Sequence, residues 1–139
     1  MIFWGCLLVD IKGSKTEKNL WTAFSGESQA RNKYIYFAKV AENEGYNNVA
    51  SVFERTANQE EEHARVILTF LDGIKDTKSN LKRSIQTENY ESNTMYKEYE
   101  KVALEEGFIE IATFFREVAK IEEEHERKLS QLLKDILDK

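Results

Sequence analysis

Proline is absent from the 139 residues, and only one cysteine and two histidines occur. Without proline nothing in the chain forces a helix to break, and abundant Glu, Lys, Leu and Ala favour long helices over sheets. The expected fold class is all-α. A lone cysteine, Cys6, excludes an intrachain disulfide and a four-cysteine iron or zinc centre within this chain. It fits a reducing, cytoplasmic setting. Net charge is −5 and no basic stripe stands out, which argues against nucleic acid or an anionic membrane as the main partner. The one long apolar run, Met1 to Val9, is too short to span a bilayer and lacks the basic start and small-residue cleavage site of a secretory signal. Residues 1–10 read as an N-terminal extension that packs on the bundle, packs at a subunit contact or forms a loose extension, ahead of one domain over 11–139.

Both histidines close the same tetrapeptide, Glu60-Glu61-Glu62-His63 and Glu122-Glu123-Glu124-His125, 62 residues apart. Residues three apart share a helix face, so Glu60 with His63, and Glu122 with His125, can each grip one metal ion. Residues 37–63 laid over 99–125 without a gap agree at 12 positions, and the same offset sets Tyr34 over Tyr96. The chain thus reads as two copies of one helix-turn-helix unit, with Gly45 and Gly107 at the turns. Helices are expected at about 16–44, 47–71, 78–106 and 108–137, in hairpins over about 16–71 and 78–137.

Periodicity selects the inward charges. In the fourth helix Phe108, Ile111, Phe115, Val118, Leu129, Leu132 and Ile136 form a stripe, and Glu122 and His125 occupy the steps it leaves open. Val49, Phe53, Thr56, Ile67 and Phe70 do the same around Glu60 and His63. In the first helix Glu27 shares a face with Leu20, Phe24, Ala30, Tyr34, Phe37 and Ala41. In the third, Glu88 lies among Leu81, Ile85, Met95, Tyr99 and Val102, with Glu91 one turn on and slightly to the side. Antiparallel packing at ~1.5 Å per residue brings Glu27 level with Glu60 and His63, and Glu88 and Glu91 level with Glu122 and His125. A glutamate-rich helix is ordinarily a solvated face. Five carboxylates and both histidines at one core level instead need cations or protons to persist, since an unpaired buried carboxylate costs several kcal/mol. A carboxylate-rich dinuclear metal site follows. Tyr34 and Tyr96 read either as core aromatics or as hydrogen-bond donors that orient the ligand carboxylates. Arg31 and Asn32 are expected in surface pairing.

From about Ile11 onward the chain resembles the rubrerythrins, peroxide-reducing di-iron members of the ferritin-like superfamily. The resemblance is carried by I-K-G-S-K-T-E-K-N-L (11–20), G-E-S-Q-A-R-N-K-Y (26–34), E-N-Y-E-S-N-T-M-Y (88–96) and both E-E-E-H segments. It implies two iron ions held by Glu27, Glu60, His63, Glu88, Glu91, Glu122 and His125, with Glu60 and Glu122 bridging and Glu91 alternating with His63 on one iron. Zinc or manganese also suits such ligands. It implies catalytic roles for Glu91, as proton carrier, and for Tyr34 and Tyr96 beside the ligands. Many rubrerythrins carry a four-cysteine rubredoxin domain, so this sequence looks like the short, erythrin-type form. Electrons for hydrogen peroxide would then come from a separate protein such as rubredoxin and its reductase. The rival readings are a ferroxidase or iron-binding protein, and a non-catalytic metal-binding bundle. A ferritin-like four-helix bundle sets its second and third helices parallel, needing a crossover of ~38 Å. Residues 72–77 reach only ~20 Å. A helix-swapped homodimer is therefore expected, with a direct up-down-up-down monomer as the alternative.

Overall fold

The computed structural model describes residues 10–138, and the expectation placed on the apolar start of the chain falls outside them. Among the described residues all regular structure is helical, so the all-α expectation holds. Helix α1 spans Lys15–Asn43 and α2 spans Asn47–Phe70. Helix α3, Thr77–Tyr90, runs directly into a π-helical segment, Glu91–Met95, which continues as α4, Tyr96–Glu105. Helix α5 spans Ile109–Leu137. The third predicted helix is thus not uniform: the Tyr96 amide donates to the Glu91 carbonyl, a bond to the fifth residue back, where periodicity alone suggests an unbroken α-helix.

The helix ends follow from local chemistry. Ser14 caps α1 by accepting the Glu17 amide at 3.0 Å, while Glu17 reaches back to the Gly13 amide. Gly45 and Gly107, both at φ +84°, end α1 and α4. In each case the next residue's amide returns to the preceding helix, Tyr46 to the Ala41 carbonyl and Phe108 to the Ala103 carbonyl, both at 2.8 Å. These matching turns fold the chain into two compact units that divide between Ile74 and Lys75.

Each unit is a pair of antiparallel helical rods. In the first, Ala38 and Ala41 of α1 are buried with Ala50, Ala57 and Ala64 of α2. In the second, Ala103 of α4, Ala112 of α5 and Ser92 of the π segment are buried. Small side chains let the two backbones of a hairpin approach, and no large side chain among the described residues is fully buried. Phe37, Val49 and Phe70 in the first unit, and Tyr99, Ile111, Phe114 and Leu132 in the second, remain exposed. A two-helix layer cannot cover its own apolar face.

Ala57 is wholly inaccessible. Ala57→Leu should lower stability by ~1–3 kcal/mol through overpacking of the seam, whereas Ala23→Leu, on an exposed position of α1, should change it by about 0.5 kcal/mol or less. Chemical denaturation of both variants checks this, and equal effects would contradict the alanine seam.

Candidate metal centre

The seams set one helix against the next at the level of the acidic repeats. Glu27 of α1 meets Glu60 and His63 of α2, and Glu88 of α3 meets Glu122 and His125 of α5. Within each triad the candidate ligand atoms all lie within 4.8 Å of one another. His63 Nδ1 is 2.9 Å from Glu60 Oε2 and 3.5 Å from Glu27 Oε2. His125 Nδ1 is 2.7 Å from Glu122 Oε2 and 3.6 Å from Glu88 Oε2. The two hairpins build the same arrangement. In both, the carboxylates are partly buried and the imidazole lies open on the hairpin face.

Crowded carboxylates perturb one another. Glu27 is shifted above the ordinary carboxyl range, chiefly by its hydrogen bond with Glu60 and then by burial. Glu60 is shifted downward by the same bond and by His63. The two carboxylates are thus driven apart in proton affinity, Glu27 upward and Glu60 downward. His63 is raised by accepting carboxylate company, Glu60 first. Glu88 is raised mainly by burial and then by its hydrogen bond with Glu122. Its Oε2 is buried with no hydrogen-bond partner, an arrangement a cation would satisfy.

Glu91 opens the π segment and is not part of either compact triad. Its negative charge nevertheless raises the pKa of both Glu88 and Tyr96, so it lies near both. Tyr96 is held protonated first by burial and then by Glu91, Glu122 and Glu88. Tyr34 packs against Phe53, 5.7 Å between ring centroids, and Phe37 at 6.4 Å. Tyr96 packs in the same way against Phe115 at 5.9 Å and Tyr99 at 6.2 Å. Arg31 bridges α1 to α2 through Glu61 at 3.6 Å and also reaches Asn32, in the surface pairing expected of both.

The π segment is the part of the site that periodicity missed. Its signal is a spacing: Glu27 and Tyr34 are 7 residues apart, but Glu88 and Tyr96 are 8 apart. The repeat that aligns Tyr34 with Tyr96 thus contains one extra residue after Glu88. A single inserted residue inside a helix is what a π turn absorbs.

A rubrerythrin family model matches residues 18–133. The chain is 47% identical to a rubrerythrin of Porphyromonas gingivalis over 92% of its own length and 70% of that protein. It is 41% identical to a rubrerythrin of Nitratidesulfovibrio vulgaris, covering 91% of this chain and 73% of the relative. A putative rubrerythrin of Methanocaldococcus jannaschii is 36% identical over 91% and 72%.

Proton binding gives the metal-free form a characteristic pH dependence. Glu27 and Glu88 are raised above 4.5 and His63 above 6.5, so above those values the folded chain binds more protons than the unfolded one. Stability from these groups is present at low pH and is lost as pH rises through the folded values. Lowered groups such as Glu60 act only below 4.5, where their contribution is lost as pH falls. A bound metal ion replaces the protons. Chelator-treated protein should therefore lose thermal stability between about pH 5.5 and about pH 8 relative to metal-loaded protein. A melting-temperature gap that narrows over this range would contradict the assignment.

Proposed function

This chain belongs to the rubrerythrin family, and on that premise we propose that it is a non-haem di-iron peroxidase. It reduces hydrogen peroxide to water with electrons from a separate redox protein. The observation that carries the reading is the repeated Glu, Glu, His triad, accompanied on the second hairpin by a further carboxylate, Glu91. Oxygen and imidazole donors in this ratio suit iron, with manganese and zinc as competitors. The partnerless buried oxygen of Glu88 favours an ion over a purely structural role.

Glu27, Glu60 and His63 on the first hairpin, and Glu88, Glu122 and His125 on the second, would hold the iron ions. When bound, the ferrous pair supplies both electrons for peroxide O–O cleavage. The chain's own residues then have to supply position and protons. Reducing one peroxide to two waters consumes two protons. Glu91, adjacent to the triad of its own hairpin without being locked into it, would carry a proton at its carboxylate or serve as a further iron ligand. Tyr96, whose phenol is raised first by burial and then by Glu91, retains an O–H that would orient Glu91. Tyr34 is the corresponding phenol of the first hairpin.

The same reading includes a helix-swapped homodimer. Only residues 71–76 link α2 to α3, and each hairpin has an apolar face to cover. The lone cysteine supports a reducing, cytoplasmic setting. The mass of the iron-loaded protein by light scattering should be that of two chains, and an iron-loaded monomer would rule out the swap.

Anaerobic protein carrying two ferrous ions per chain should be oxidised much faster by hydrogen peroxide than by dioxygen in stopped-flow mixing. Preference for dioxygen with continued iron uptake would make the protein a ferroxidase. Glu91→Ala should retain most bound iron yet slow peroxide oxidation roughly a hundredfold, the scale of a lost general acid. Unchanged oxidation would remove Glu91 from the proposed role.

A further inference from the structure

Each hairpin packs a triangle of three rings alongside its acidic triad. In the first, Tyr34, Phe37 and Phe53 have centroids 6.4, 5.7 and 5.7 Å apart. In the second, Tyr96, Tyr99 and Phe115 form the counterpart at 6.2, 5.9 and 5.6 Å. One ring differs in kind: Tyr99 stands where the offset of 62 puts Phe37. Packing does not explain the phenol, because a phenylalanine builds the same triangle. Solvent does not explain it either, since Phe37 is 47% exposed and Tyr99 46%. The rings of Tyr96 and Tyr99 meet edge-on, with planes at 89°, in the one tyrosine–tyrosine ring contact among the described residues.

The substitution falls on the hairpin that also carries the π segment and Glu91. Helical side chains lean toward the N-terminus of their helix, so the Tyr96 ring leans back over the π segment toward Glu91 and Glu88. Burial, and then the charges of Glu91, Glu122 and Glu88, hold its phenol in the neutral form. Tyr99 stands three residues on, ~4.5 Å of rise further from the ligands. A phenol gives up an electron together with its proton, which a phenylalanine ring cannot do. Two phenols in contact can therefore exchange an electron and a proton with no net change in bonding. In the first hairpin the same path ends at Tyr34, because both rings beside it are phenylalanines.

We infer that Tyr96 and Tyr99 form an electron relay that completes peroxide reduction when the metal beside Glu88 can supply only one electron. The inference rests on the peroxidase reading for its oxidant. Breaking the O–O bond of hydrogen peroxide to form two waters takes two electrons and two protons. With a single ferrous ion in the site, that ion supplies one electron and becomes ferric. The Tyr96 phenol supplies the other electron together with its proton, and the second proton comes from the medium. Tyr99 then gives its own electron and proton to Tyr96, so the unpaired electron moves to the ring more distant from the histidine and carboxylates. An oxidising equivalent left at the site would attack those ligands, a competing reaction the protein has to exclude. The next electron from the separate redox protein returns by the same path, with one proton from the medium, and restores both phenols.

The test uses the full chain loaded with equal amounts of ferrous iron and zinc, so that many sites hold one ferrous ion beside a redox-inert one. Mixed anaerobically with hydrogen peroxide and frozen, this protein should show a tyrosyl radical by electron paramagnetic resonance, and ring-deuterated tyrosine should narrow the signal. Tyr96→Phe should remove it. Tyr99→Phe, which installs the ring the first hairpin already carries, should shift the hyperfine pattern to that of Tyr96 and shorten the radical's lifetime, with oxidised His125 appearing in peptide mass spectra. Tyr36→Phe, at an exposed position of α1, should leave the radical unchanged. Protein loaded with ferrous iron alone should be oxidised by peroxide equally fast in the parent and in Tyr99→Phe. Identical spectra for the parent and Tyr99→Phe would overturn the relay, as would a radical that survives Tyr96→Phe, the mark of unselective oxidation. If the fully ferrous protein reacts with peroxide but the mixed-metal protein forms no tyrosyl radical, the relay falls and the peroxidase reading stands. If peroxide leaves the fully ferrous protein unchanged, both fall.

Discussion

Everything in this chain is arranged around mutual repulsion between carboxylates. In each hairpin two glutamates and a histidine come within 4.8 Å, closer than unshielded like charges tolerate in a partly dehydrated site. Alanine seams make that approach possible. By removing bulk between α1 and α2 they let Glu27 reach across to Glu60 and His63. About two turns further along, the rings of Tyr34, Phe37 and Phe53 pack together, as do those of Tyr96, Tyr99 and Phe115. The strain shows in one hairpin as a Glu27 carboxyl raised chiefly by Glu60, and in the other as a buried Glu88 oxygen with no hydrogen-bond partner. Cations resolve both cases at once, so metal affinity and folding draw on the same contacts.

The repeat is imperfect in an informative way. Where the first hairpin has the buried Ala38 and Ala64, the second has Glu100 and Glu126. Those glutamates tie the rods together by polar bonds, Glu100 to Arg116 at 2.7 Å and Glu126 to Asn89 at 3.0 Å. The second hairpin therefore replaces part of an apolar seam with bonds that water competes for. This is also the hairpin that contains the π segment and the extra carboxylate.

Much of this was legible before any coordinates. Long helices follow from the missing proline, the hairpins from the self-match and its turn glycines, and the placement of Glu60 with His63, and of Glu122 with His125, from a spacing of three. Periodicity was less informative about which apolar residues meet within a hairpin. It marks stripes dominated by Phe, Ile and Tyr, whereas the residues each hairpin buries are small ones, of which only Ala41 belongs to such a stripe. A hydrophobic stripe identifies the face that needs covering, and small residues at its edge identify the neighbouring rod; hydrophobicity alone ranks the first above the second.

The π segment shows why a costly irregularity is kept. In an α-helix a spacing of eight residues overshoots two full turns by ~80°, whereas seven falls only ~20° short. An unbroken third helix would thus hold Glu88 on the metal face and turn Tyr96 away from it, unlike Glu27 and Tyr34. The wider turn from Glu91 to Met95 takes up the extra residue, and Tyr96 returns to the site, where the charges of Glu88, Glu91 and Glu122 all act on its phenol. The small, buried Ser92 lets the widened turn stay close to its neighbours, its hydroxyl bonding the Asn89 carbonyl at 3.2 Å. A residue has been added without losing the tyrosine, and Glu91 acts on both Glu88 and Tyr96 as a carboxylate for which the first hairpin has no counterpart. The asymmetry between the halves is therefore concentrated at one turn, and that turn is where the two otherwise matching triads become chemically different.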